Sequence, residues 1–261
     1  MSKLTRRTAI IAGLGGAGYL IGNATTLTTS AGFQRVFHSI ERWTQANQRL
    51  LLSGTQLARE FSPADISPVF KANGTSDPGG EDYNRHVAEN FANWRLVIDG
   101  MVAHPMALSI AELRRLPARS QITRHDCVEG WSAIGQWTGV PLGLLLKAAG
   151  VAPGAKYAVF YCADNLEGEP SKGGVQIPGQ YYESIDLVDA FHPQTIMAYA
   201  MNGKPLEVAH GAPVRLRVER MLGYKHAKYV HRIQVTDSFA DIADGAGGYW
   251  EDRGYEWYAG I

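Results

Sequence analysis

Gln121-Ile122-Thr123-Arg124-His125-Asp126-Cys127-Val128-Glu129-Gly130-Trp131-Ser132 is the stretch on which the reading of this chain turns. Gln121 to Asp126 reads as a strand running straight into Cys127, with turn-forming residues behind it. A cysteine at a strand end, with Arg124 and His125 beside it, admits three readings. It is a buried inert thiol; or a nucleophile paired with His125, which requires the two side chains to converge; or a single protein thiolate on a soft metal otherwise held by a cofactor's sulfur. Spacing argues against zinc, since the chain has no C-x-x-C pair and no H-E-x-x-H.

The 261 residues suffice for a well-filled core. Hydrophobic residues at 45% against 19% charged exclude a disordered or fibrous chain. With 25 basic and 25 acidic residues the net charge is zero, so no nucleic-acid partner is expected. Cys127 and Cys162 are too few for a disulfide framework. Frequent glycine and proline favour a turn-rich, sheet-rich enzyme over a helical bundle.

Lys3 to Arg7 is basic, and the uncharged, glycine-rich run from Thr8 to Gly22 follows it. That layout predicts an export signal, and Arg6-Arg7 points to the twin-arginine kind. The run is shorter than a bilayer span, and no clear A-x-A site follows, so residues 1–31 are read as a signal or an uncleaved anchor. Residues 32–81 form a second region. Gly32 to Glu60 predicts a helix with Phe33, Val36, Phe37, Ile40 and Trp43 on one stripe, a core or partner-docking face. Irregular chain follows, through Pro63, Pro68, Asn73-Gly74 and Asp77-Pro78-Gly79-Gly80.

The main domain is then 82–261. Strands are expected at Trp94–Asp99, Gln121–Asp126, Tyr157–Cys162 and Val230–Val235, and a hairpin about Asn202-Gly203 joins Ile196–Met201 to Pro205–Val208. Val214, Leu216 and Val218 alternate with Arg215, Arg217 and Glu219 in the same way. Ser109 and Glu112 have capping-box spacing for a short helix stopping at Pro117, and Pro141–Ala149 reads as a helix closed by Gly150. The class is α+β, strand-dominated. Arg215, Arg217, Arg220, Lys225, His226, Lys228 and Arg232 fall in one strand-turn-strand segment, suited to a phosphate-bearing cofactor or an oxyanion, or else a solvated hairpin face. No nucleotide-binding glycine loop accompanies them.

Three motifs in register, R-x-x-C-V-E-G-W-S (Arg124 to Ser132) with W-T-G-V-P-L-G-L-L-L (Trp137 to Leu146), G-A-P-V-R-L (Gly211 to Leu216) and G-Y-K-H-A-K (Gly223 to Lys228), resemble the molybdopterin-binding domain of the sulfite oxidase family. The resemblance runs from about Asp82 to Thr236 and is nearest the periplasmic methionine-sulfoxide reductase branch. It implies that Cys127 ligates molybdenum beside a pterin dithiolene. It further implies that Arg215 and Lys228 hold the cofactor phosphate or a substrate anion. By the same likeness Asn84, Arg85, His86, Cys162, His210, His226 and Ala227 line the cofactor, Asn84 and His210 shape the substrate mouth, and Arg124 steers an anion. Two departures stand near the metal: Cys162 where that branch has threonine, and His210 where it has asparagine. The implied activity is oxygen-atom-transfer redox chemistry on a small S- or N-oxide or an oxyanion. Since C-x-x-C-H is absent, electrons are expected from a partner, and the resemblance implies that this is a membrane b-type cytochrome. The rival readings are a thiol enzyme or hydrolase using Cys127 and His125, and a non-catalytic binding module.

Overall fold

The computed structural model describes residues 40, 43–49, 55–167 and 178–261. The chain divides into two compact units, Met1–Leu52 and Ser53–Ile261. In the first, residues 43–49 are helical. The export segment and Phe33, Val36 and Phe37 lie outside the described residues. No helix among the described residues is long and apolar enough to cross a membrane.

The second unit is built on two five-stranded sheets. One has the order β2 (Met106–Ser109), β1 (Arg95–Gly100), β10 (Val230–Thr236), β5 (Tyr157–Asn165), β6 (Gln180–Asp186). Its β1–β10 pair is parallel and its other pairs antiparallel. The other runs β3 (Arg119–Cys127), β4 (Trp131–Pro141), β7 (Ile196–Met201), β8 (Lys204–Pro205), with β9 (Arg215–Arg217) also on β7. Helices α1 (Glu81–Ala88), α2 (Ile110–Leu113), α3 (Leu142–Ala149) and α4 (Leu187–Ala190) are short. On α3 the residues Leu142, Leu145, Leu146 and Ala149 recur at helical spacing and are buried, each leucine contributing about 1.5–3 kcal/mol. Gly150, left-handed at φ +69°, closes this helix and bonds back to Leu146 and Lys147.

The capping box forms as read, with Glu112 N–H on the Ser109 hydroxyl, but α2 ends at Leu113 rather than reaching Pro117. Asn202 and Gly203 turn between β7 and β8 at φ +49° and +75°. The second arm is shorter than expected, because Val208–His210 winds into a 3-10 turn. Strands β2, β4 and β6 are not among those expected from the sequence; β4 alternates in burial, but glycines at its inward positions 135 and 139 give no apolar signal.

The helix expected to reach Glu60 has ended before Gln56. Residues 56–61 are instead drawn out along the domain: the Gln194 side-chain amide pairs with the N–H and carbonyl of Ala58, and Phe61 N–H bonds Ile122. Thus the irregular stretch before residue 82 belongs to the second unit. Its Phe70 packs edge-on against Trp137 at 5.4 Å and Trp131 at 5.9 Å.

The 214–235 segment corrects the hairpin reading. Its two strands lie in different sheets, β9 on β7 and β10 between β1 and β5. Most of its charges are correspondingly buried, each against carboxylates or backbone carbonyls. Arg217 forks onto Glu219, Lys225 meets Glu183 and Glu251, and Arg220 meets Asp189 at 2.7 Å. Such burial is tolerable only with partners of this kind.

Candidate active site

Cys127 ends β3, opposite Trp131 in the β3–β4 hairpin, and Gly130 N–H closes the turn onto its carbonyl. Its side chain opens onto a cavity of about 230 Å³. Three further segments line that cavity: the loop Asn73–Thr75; Asp164 and Leu166 at and just past the end of β5; and Tyr224, His226 and Lys228 ahead of β10. Tyr181, Trp250, Tyr255, Val128 and Glu129 complete the wall. Chain separated by more than 100 residues therefore converges on one thiol.

Burial pushes the Cys127 thiol above its ordinary range; the Glu129 carboxylate adds to this, while the N–H groups of Glu129 and Val128 oppose it. Such a thiol is protonated at neutral pH until a cation displaces the proton. Lys228 donates to the carbonyls of Thr75 and Ala209, the latter at 2.9 Å. Burial and then Arg215 bring its pKa down to about 7. Asp164 is raised to about 6 by burial, with Lys228 and Thr75 acting against this. One oxygen of Asp164 and the Asn73 amide oxygen are buried without a partner. His226 is held neutral: its Nε2 meets the Met221 carbonyl at 3.0 Å, and burial together with Arg217 keeps its pKa far down.

Of the residues anticipated from the sequence, Cys127, His226 and Lys228 come together here. Arg215 does not line the cavity. Fully buried, it braces the chain behind, bonding the carbonyls of His210 (3.1 Å) and His226 (3.2 Å) across the face of Trp137. Ala227 is buried beside it and accepts from Leu216 N–H. Arg124 is exposed and paired with Asp126, away from the cavity. His210 lies at a separate surface hollow, its Nε2 on the Phe70 carbonyl. Asn84 is exposed on α1. Arg85 and His86 line a second cavity, of about 350 Å³, with Tyr83, Arg95, Ala163, Tyr229 and His231. The two cavities share adjacent wall residues, Ala163–Asp164 and Lys228–Tyr229. His86 Nδ1 and His231 Nε2 are buried there unpartnered. Cys162 is a free thiol fully inside the core.

The thiol–imidazole pairing does not form. His125 and Cys127, two apart on β3, share a face, but His125 is buried with Nδ1 on Arg217 at 2.9 Å and Nε2 unpartnered. Burial and the Arg217 charge hold it neutral. Asp164 was within reach of sequence reasoning, sitting two residues past Cys162. Asn73-Gly74 signals only a turn, Trp250 and Tyr255 carry no local signal, and all of them enter the site by tertiary folding.

The oxidoreductase molybdopterin binding domain family model matches residues 84–242. An Azospira oryzae protein, provisionally named protein-methionine-sulfoxide reductase subunit YedZ1, is 37% identical over 247 residues, covering 95% of this chain and 84% of that one. The sulfane dehydrogenase SoxCD of Paracoccus pantotrophus aligns in structure with a TM-score of 0.48 and 24% identity, over 56% of this chain and 39% of that one. The family match covers most of the strand-dominated unit that carries Cys127 and its cavity, and the chain accordingly belongs to the molybdopterin-binding oxidoreductases of the sulfite oxidase family.

Proposed function

We propose that this protein is a molybdenum-pterin oxidoreductase acting on a small, uncharged S- or N-oxide. The observation that carries this reading is the convergence on one cavity of the Cys127 thiol, the Lys228 ammonium and two unpartnered buried oxygens, one of Asp164 and one of Asn73. These groups fit the ligand: a soft sulfur for molybdenum, acceptors for the N–H edge of a pterin, and cations at Lys228, Arg85 and Arg95 for its phosphate. Bound there, the group supplies two-electron redox chemistry and accepts or releases an oxygen atom.

The chain's own share is positioning and charge. The β3–β4 hairpin fixes Cys127 at the cavity wall, and Arg215, tied to two carbonyls, holds the 208–211 turn and the 223–228 segment in register. An uncharged substrate is favoured over an inorganic oxyanion by charge. Lys228 is the one cationic side chain at this cavity among the described residues, His226 is neutral, and Asp164 and Glu129 are acidic. The relative's name as a methionine-sulfoxide reductase subunit agrees with a sulfoxide. Arg6-Arg7 ahead of an apolar run supports twin-arginine export to a periplasm. A membrane b-type cytochrome is the electron partner proposed with it.

Purified protein from a molybdenum-replete host tests the reading. One molybdenum per chain, lost in Cys127→Ser, is expected. Full molybdenum retention in that variant, or turnover without metal that alkylation abolishes, would refute it in favour of a thiol enzyme.

A further inference from the structure

The segment 243–261 lies beyond the end of the family match, yet it supplies Trp250 and Tyr255 to the wall of the Cys127 cavity. It is firmly attached. Glu251 meets buried Lys225, Asp252 accepts from the Tyr182 hydroxyl at 2.6 Å, and the Glu256 backbone carbonyl accepts from the Tyr224 hydroxyl at 2.6 Å. Its aromatic rings form a continuous run with those of the domain. Tyr249 stacks on Tyr181 at 5.7 Å and meets Trp250 at 5.3 Å; Trp250 lies 5.3 Å from Tyr255, which stands edge-on to Tyr224 at 5.3 Å. Tyr255 and Val128, both lining the cavity, remain 42% and 46% exposed, so apolar surface continues to the opening.

We propose that this terminal segment is the substrate-selecting wall: Trp250 and Tyr255, with Val128 and Leu166, receive the apolar substituent of a neutral S- or N-oxide whose oxygen faces Cys127. The proposal rests on the reading above and narrows it. Rings held by their neighbours lose little freedom on binding, and a thioether or aryl group gains contact with them that a small polar oxide does not. The polar wall, Asn73, Asp164 and Lys228, is left for the cofactor. Selectivity then arises on a part of the chain that the family match does not include.

The test uses full-length protein loaded with its cofactor, oxidised and without reductant. Isothermal titration with methyl p-tolyl sulfoxide and with dimethyl sulfoxide measures the preference directly. The aryl probe is expected to bind roughly tenfold tighter. Trp250→Ala and Tyr255→Ala should each remove most of that preference, weakening the aryl probe far more than dimethyl sulfoxide, with the molybdenum-to-protein ratio retained. Trp250→Leu, which keeps apolar volume, guards against a folding defect and should retain an intermediate preference. Equal affinities in the unaltered protein, or a preference that survives both alanine variants, would overturn the proposal. A chain with no molybdenum but the expected preference defeats the functional reading and leaves this wall standing; a loaded chain without the preference does the reverse.

Discussion

Replacing Lys225 by methionine probes how the cavity's aromatic wall is held. Lys225 is fully buried, and its ammonium touches Glu183, also fully buried, and Glu251 at 2.5 Å. The second oxygens of both carboxylates have no partner, so one cation serves two acids. Burial, then the neighbouring Glu251 charge, holds Glu183 well above the usual carboxylate range, with Lys225 opposing. Removing the cation leaves two buried acids facing each other, a loss of about 3–5 kcal/mol for a broken buried pair. For a unit of this size that corresponds to a melting temperature lower by roughly 6–20 °C.

The sign with pH follows from the same groups. A carboxyl whose folded pKa is raised destabilises the fold increasingly as pH rises above its unfolded value, about 4.3. Without Lys225 the rise is greater, so the deficit of Lys225→Met should be large at pH 7.5 and shrink at pH 5.5. Denaturant titration of both proteins at the two pH values, followed by tryptophan fluorescence, measures this. Adding Glu183→Gln and Glu251→Gln should restore part of the loss at pH 7.5. A deficit below about 1 kcal/mol at pH 7.5, outside the range for a broken buried pair, or one that grows on acidification, would refute the triad as an electrostatic clamp.

Burial keeps His125, His226 and His231 neutral, the last with its pKa lowered to about 4. Each takes up a proton on unfolding below about pH 6.5, so stability should fall as pH drops from 6.5 toward 4. For His231 alone the difference is up to roughly 3 kcal/mol, and His231→Gln should flatten the midpoint-versus-pH curve; an unchanged slope would contradict it. At Gly139→Ala a methyl would stand 2.2 Å from the Met197 carbonyl oxygen and 2.5 Å from Ala198 Cα, both backbone of β7. The β4–β7 pairing must shift, with an expected loss of about 1–3 kcal/mol or more; an unaltered thermal melt would show that the strands do not approach this closely.

Local chemistry wrote much of this fold into the chain. The strand into Cys127, the Ser109 cap, the Asn202-Gly203 turn and the α3 stripe each depend on residues within a few positions of one another, where spacing and turn propensity act directly. Cys127, His226 and Lys228, each inside a motif read from the sequence, line one cavity. Arg124, Asn84 and His210 lie outside that cavity, because sequence proximity to a motif says nothing of which way a side chain faces.

What the tertiary structure alone decided is the meaning of the charges and the shape of the site. A row of arginines and lysines looks the same in sequence whether solvated or buried. Here the carboxylates that neutralise Arg220 and Lys225 arrive from distant strands, helices and the C-terminal segment. Likewise Asn73, Asp164 and Trp250 reach one thiol only when two sheets and both ends of the unit close around it. Contacts between residues far apart in the chain are set by the packing of whole faces, and no local pattern encodes them.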